Sequence, residues 1–166
     1  AVGMYSLRAN TTASENTAVG YQSLNANTTA TRNTAVGYNA GLSITTGGSY
    51  NVLMGSYSGD AITTGEENIA IGDSALGANT SANYNTAIGS AAMANNTTGA
   101  SNVAIGKSAL VANTTGAQNT AVGTNALDAN TTAADNAAFG FVALSTNTTG
   151  TANTAIGTGA MELNTT

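Results

Sequence analysis

A small apolar cluster ending in glycine returns along this chain at Gly3, Gly20, Gly37, Gly55, Gly72, Gly89, Gly106, Gly123, Gly140 and Gly157. The step is 17 residues throughout, apart from 18 between Gly37 and Gly55. Strict periodicity of this kind constrains the fold before any local propensity is weighed, because a unit this short must bury its apolar side against its neighbours. Counted from its asparagine, the unit reads N-T-A-V/I-G-x-x-A/S-L-x-A-N-T-T-G/A-x-x, and residues 119–135, NTAVGTNALDANTTAAD, are a clean copy. The unit is too short for two packed helices or a propeller blade and suits one coil of a parallel β-solenoid. Helix is further disfavoured by the Thr, Asn, Gly and Val content and by the lack of a 3.6-residue apolar period. The predicted fold is all-β, a parallel β-solenoid or β-roll of about ten coils, with residues 1–166 as a single repeat segment. At about 4.8 Å per coil the rod would be roughly 45–50 Å long.

In such a rod every repeat position becomes a column of stacked residues. Position four is always bulky and apolar: Val2, Val19, Val36, Met54, Ile71, Ile88, Ile105, Val122, Phe139 and Ile156. Position nine is Leu or Met in eight coils, from Leu7 to Met161. These two columns are expected to form the core. Charged residues fall only at positions six, ten, sixteen and seventeen, which are expected to face solvent. In two coils Gly41 and Gly59 replace the large residue at nine, while Ile44 and Ile62 replace the asparagine at twelve. That exchange suggests that both columns share core volume. Position three is Ala except at Leu53, and position eight is only Ser or Ala. With position four inside, strand alternation turns position three outward. Small residues held constant on an outer face suggest a closely packed neighbouring chain. On this assignment Ile88→Asp would unfold the rod and Ala104→Arg would disturb only its assembly.

Composition narrows the chemistry. Eight acidic against three basic residues give a net charge of −5. A nucleic-acid or anionic-membrane partner is not expected, since either needs a basic patch. No apolar run is long enough to span a bilayer, so membrane insertion is not expected, and no secretory signal opens the chain. Cys, His, Pro and Trp are absent. The familiar Ser-His and Cys-His nucleophile pairs therefore cannot be built, and no enzyme, metal site or cofactor is expected. Asp60, Glu66 and Glu67 read as an exposed acidic turn.

Asparagine occupies two columns. Asn16, Asn33, Asn51, Asn68, Asn85, Asn102, Asn119, Asn136 and Asn153 precede the core strand and are expected to form a structural ladder that satisfies backbone groups. Asn10, Asn27, Asn79, Asn96, Asn113, Asn130, Asn147 and Asn164 each begin an N-T-T/S sequon, with Asn95 adding an overlapping match. They are candidate glycosylation sites, against the alternative of a second hydrogen-bonded ladder. The ten glycines at position five are expected to take positive φ at a tight turn.

The strings NTAVGYQSLNANTTATRNTAVGY (16–38) and NVAIGKSALVANTTGAQNTAVG (102–123) resemble repeats of phage-type tail-fibre and bacterial surface-fibre proteins. NVAIG (102–106) and NIAIG (68–72) are also similar to the N-S-V-A-I-G motif of trimeric autotransporter adhesin heads. The resemblance implies an extracellular, cell-surface or virion-borne homotrimer that presents or spaces surfaces for a host receptor or glycan. The expected function is a fibre shaft or adhesin head segment. The alternatives are an ice-binding solenoid, suggested by the unbroken Thr column at position thirteen, and a self-assembling matrix filament without a receptor. Leu7 and Met161 occupy the same columns as interior residues, so a segment of a longer fibre is expected.

Overall fold

The computed structural model describes residues 1–165. Nine three-residue strands lie in one parallel sheet in chain order: β1 (Thr17–Val19), β2 (Thr34–Val36), β3 (Val52–Met54), β4 (Ile69–Ile71), β5 (Thr86–Ile88), β6 (Val103–Ile105), β7 (Thr120–Val122), β8 (Ala137–Phe139) and β9 (Thr154–Ile156). Val2 adds a single bridge to Val19. Pairing is in register, Thr17 on Thr34 and Ala18 on Ala35, and so on through the stack. The 18-residue coil keeps that register, with Thr34 on Val52, because its extra residue falls in the bend around Gly47 and Gly48. The chain is a parallel β-solenoid. Outside the strands, coils are joined by backbone hydrogen bonds such as Leu110 N–H to the Ala126 carbonyl and Ser108 N–H to the Ser90 carbonyl.

Inside and outside at the strand are the reverse of the expectation. The middle residue of each strand, position three, is buried in all nine. Position four points out: Val19, Met54, Ile105 and Phe139 are each exposed, and Ile88 and Val122 are half-buried. The core consists of position three, position eight (Ala75, Ala92, Ala109, Ala126, Ala143) and position nine (Leu24, Leu76, Met93, Leu110, Leu127, Leu144). The physical reason is bore. A 17-residue coil of the regular sequence encloses little space, and only a methyl fits between its walls at the strand. A close-packed interior also resists volume changes, so a column that accepts Val, Ile, Met and Phe cannot be core. The constancy of Ala was the mark of burial. The Ala and Ser columns are therefore lining, not an inter-chain contact.

The anomalous coils support the shared-volume reading and widen it. A Cβ on Gly41 would lie 2.8 Å from Leu53 Cδ1 and 2.9 Å from Leu24 Cδ2, and one on Gly59 would lie 2.8 Å from both Ile62 Cδ1 and Leu53 Cδ2. Leu53 is the one large residue at position three. Its bulk, with Ile44 and Ile62, fills the volume that the two glycines vacate.

Position nine is buried in left-handed backbone, with Leu110 at φ 55° and Leu127 at φ 55°. Position seven shares that conformation, for example Ser108 at φ 56°. Each such residue costs on the order of 1 kcal/mol. Tight alternation through positions seven to nine swings the leucine inward, and its burial, worth about 1.5–3 kcal/mol, offsets the cost.

Ala104 has no exposure, so Ala104→Arg should unfold the coil, costing several kcal/mol for a buried charge in overpacked space. Lys107 is exposed, and Lys107→Ala should move the melting temperature by no more than a degree or two. Thermal melts followed by circular dichroism compare the two directly.

Candidate functional site

The asparagine before each of β2 to β8 is buried and doubly engaged, while Asn16 and Asn153 at the two ends are half-buried. The backbone N–H of Asn33, Asn51, Asn68, Asn85, Asn102, Asn119, Asn136 and Asn153 each donates to the Oδ1 of the asparagine one coil earlier, at 2.8–3.0 Å. The Nδ2 of Asn16 through Asn136 in this column each donates to the carbonyl at position fifteen, at 2.8–2.9 Å. One side chain thus ties a coil to the next and closes its own circuit.

The sequon column converges on the same carbonyls. Asn27, Asn79, Asn96, Asn113, Asn130 and Asn147 have no exposure, and each Nδ2 donates to position fifteen of its own coil at 2.9–3.1 Å. Amide-to-amide bonds run along the column from Asn113 to Asn96 (2.8 Å) and from Asn130 to Asn113 (3.0 Å). A glycan on any of these six would have to break the ladder and leave the rod's interior. Of the remaining matches, Asn10 and Asn95 are exposed and Asn164 is half-buried. Ile44 and Ile62 interrupt this ladder, and there the carbonyls of Gly48 and Gly65 keep their bonds from Asn33 and Asn51.

The glycine column is a point of closest approach. Gly106 has φ +133°, and an added Cβ would lie 2.6 Å from both the carbonyl carbon and oxygen of Gly123. Glycine is required there twice over, for its torsion and for the contact.

The outer face of the sheet is built from positions two and four. Position two carries Thr17, Thr34, Val52, Ile69, Thr86, Val103, Thr120, Ala137 and Thr154, and neither column contains a charged residue. This face runs the length of the rod. Sequence reasoning missed it by placing position four inside; variability in side-chain volume was the available signal.

A second feature was also missed. Tyr5, Tyr21, Tyr38 and Tyr57 form an aromatic ladder beyond the glycine corner, with successive ring centroids 6.0, 5.2 and 5.3 Å apart. The Arg8 guanidinium lies 5.0 Å from the Tyr5 ring centroid. A hydrogen bond to Tyr57 holds the Tyr38 phenol above the usual tyrosine range. The ladder's spacing is obscured because it moves between positions seven and six.

Charge is dispersed. Arg8, Arg32 and Lys107 stand in columns ten, seventeen and six of different coils, and Arg32 donates to Glu15 at 2.6 Å. Burial pushes the Asp60 and Asp128 carboxyls at position ten upward. Among the described residues no cavity forms, and Asp60, Glu66 and Glu67 do not gather into a group that could hold a metal ion. Among the described residues no helix is long and apolar enough to cross a membrane.

Fold and columns together define a β-solenoid repeat protein. Comparison with family models, with curated proteins and with solved structures gives no match to this chain.

Two substitutions probe these ladders. Gly106→Val should be far more damaging than Gly106→Ala, and Gly106→Ala should still lower the melting temperature clearly, because even a methyl collides with Gly123. Asn102→Leu should cost roughly 1–3 kcal/mol by orphaning the Asn119 N–H. Asn95→Ala, on the exposed surface, should stay within about 0.5 kcal/mol in denaturant titrations.

Proposed function

We propose that the chain is a structural segment of an extracellular fibre or adhesin head, carried on a cell-surface appendage or a virion. It works as a homo-oligomer, most simply a trimer, whose chains pack through the sheet face of positions two and four. The observation that carries this reading is that face: uncharged, largely apolar and continuous, on a rod without a cavity among its described residues. If each side chain of the two columns leaves on the order of 50 Å² open, the face amounts to about 900 Å² per chain, comparable with the roughly 800 Å² per partner of a standard interface. An apolar surface of that size is unusual on a monomer. The resemblance of the repeat to trimeric adhesin heads and fibre proteins supports a threefold arrangement and an extracellular setting. A host receptor or glycan would be met by the remaining polar columns. A matrix filament without a receptor would use the same packing.

Ice binding draws less support. In column thirteen the hydroxyls of Thr11, Thr28, Thr63, Thr80, Thr97, Thr114, Thr131 and Thr148 donate to carbonyls of the next coil. Their hydrogens are committed within the rod. Thermal hysteresis above that of an inert protein would restore this alternative.

The chain of 16.2 kDa should sediment as a multiple of its own mass, about 49 kDa for a trimer. Ile88→Asp combined with Ile105→Asp should yield a monomer that keeps its β-type circular dichroism. A wild-type monomer at micromolar concentration would overturn the proposal.

A further inference from the structure

Four of the six tyrosines stand in four consecutive coils, on the surface next to the sheet face. Tyr5, Tyr21, Tyr38 and Tyr57 are each 38–46% exposed. The middle pair, Tyr21 and Tyr38, is nearly parallel, with an interplanar angle of 10° and centroids 5.2 Å apart. The coil itself does not demand aromatics here. Later coils fill position six with Asp73, Ser90, Lys107 and Thr124 and keep the same strand pairing. Stacking in register places the phenol rings of Tyr21 and Tyr38, 17 residues apart, face to face and open to solvent.

We propose that this ladder is an oxidative crosslinking site, where a heme peroxidase acting with hydrogen peroxide joins Tyr21 to Tyr38 as an intrachain dityrosine. Each phenol surrenders its O–H hydrogen atom to the oxidant, leaving two tyrosyl radicals whose spin is shared between oxygen and the ortho carbons. One ortho carbon of each ring forms the new C–C bond. The hydrogens on those carbons then move to the phenol oxygens, restoring both aromatic rings. The net loss is two hydrogen atoms, which reduce one hydrogen peroxide to two waters. Tyr5 and Tyr57 extend the array, so a radical formed at either end can pass to the stacked pair. The bond would staple two adjacent coils and close a 17-residue loop in the unfolded chain, which restricts that state.

The remaining tyrosines serve as controls. Tyr84 is the more exposed, at 58%, and among the described residues no aromatic ring stacks on it, while Tyr50 lies under the Arg32 guanidinium. The folded chain, treated with a heme peroxidase and limiting hydrogen peroxide, should develop dityrosine fluorescence while running as a single chain on a denaturing gel. Tandem mass spectrometry should find Tyr21 and Tyr38 peptides joined, with the loss of two hydrogens. Tyr38→Phe, checked for unchanged circular dichroism, should lower the intrachain yield several-fold. Tyr84→Phe should leave it unchanged, and the crosslinked wild type should melt at a higher temperature than the untreated chain. Equal yield of the Tyr21–Tyr38 product from heat-unfolded chain would overturn the proposal. So would crosslinks formed chiefly between chains, or at Tyr84 as often as in the ladder.

Discussion

A buried amide that serves two coils at once is the interaction on which the rest of this rod depends. From Asn16 to Asn136, each asparagine before a strand presents Oδ1 to the next coil's backbone N–H and Nδ2 to the carbonyl that closes its own coil. A coil with three-residue strands has few ladder bonds of its own, and its many turns leave backbone groups facing a narrow interior. Left unpaired there, each would cost about 1–3 kcal/mol. Two asparagine columns supply the missing partners, and their convergence on position fifteen fixes where the chain must turn. The leucines of position nine can then be held in left-handed backbone, because the torsions on either side are already set.

A narrow bore has a second effect. Since only alanine fits at the middle of the strand, save where Gly41 and Gly59 make room for Leu53, the apolar side chains that flank it have nowhere to go but out. A single coil cannot be its own hydrophobic core in the ordinary sense. Its interior is lined with methyls, amides and one large residue, and the branched side chains that flank the strand's midpoint lie on the surface. The distribution resembles half of an interface more than a finished globule, and it is this that the proposed packing of chains rests on.

Much of this was legible in the residues. The period fixed the parallel stack, the glycine column announced its torsion, and the unbroken asparagines announced a ladder. The exchange of Gly41 and Gly59 against Ile44 and Ile62 disclosed shared volume, and Leu53 was the missing third member. What misled was size. Bulk at position four was equated with burial, although its drift from Val36 to Phe139 ran against a packed interior. The left-handed residues at positions seven and nine were hidden because Ser108 and Leu110 carry no mark of that conformation. Gly41 and Gly59 at position nine, and Gly159, Asn39 and Asn125 at position seven, were the hints. The tyrosine ladder escaped because its members shift by one position along the stack.

In-register stacking also makes the coils of regular sequence interchangeable. A residue at one position meets the same column above and below wherever its coil stands, and the 18-residue coil shows that even a local length change leaves the pairing intact. Gain or loss of one whole unit in the coding sequence would therefore lengthen or shorten the rod by a single strand spacing, about 4.8 Å, without creating a new kind of contact. Reach becomes a quantity that recombination of the regular units can adjust in small equal steps, while each repeat position still meets its own column above and below.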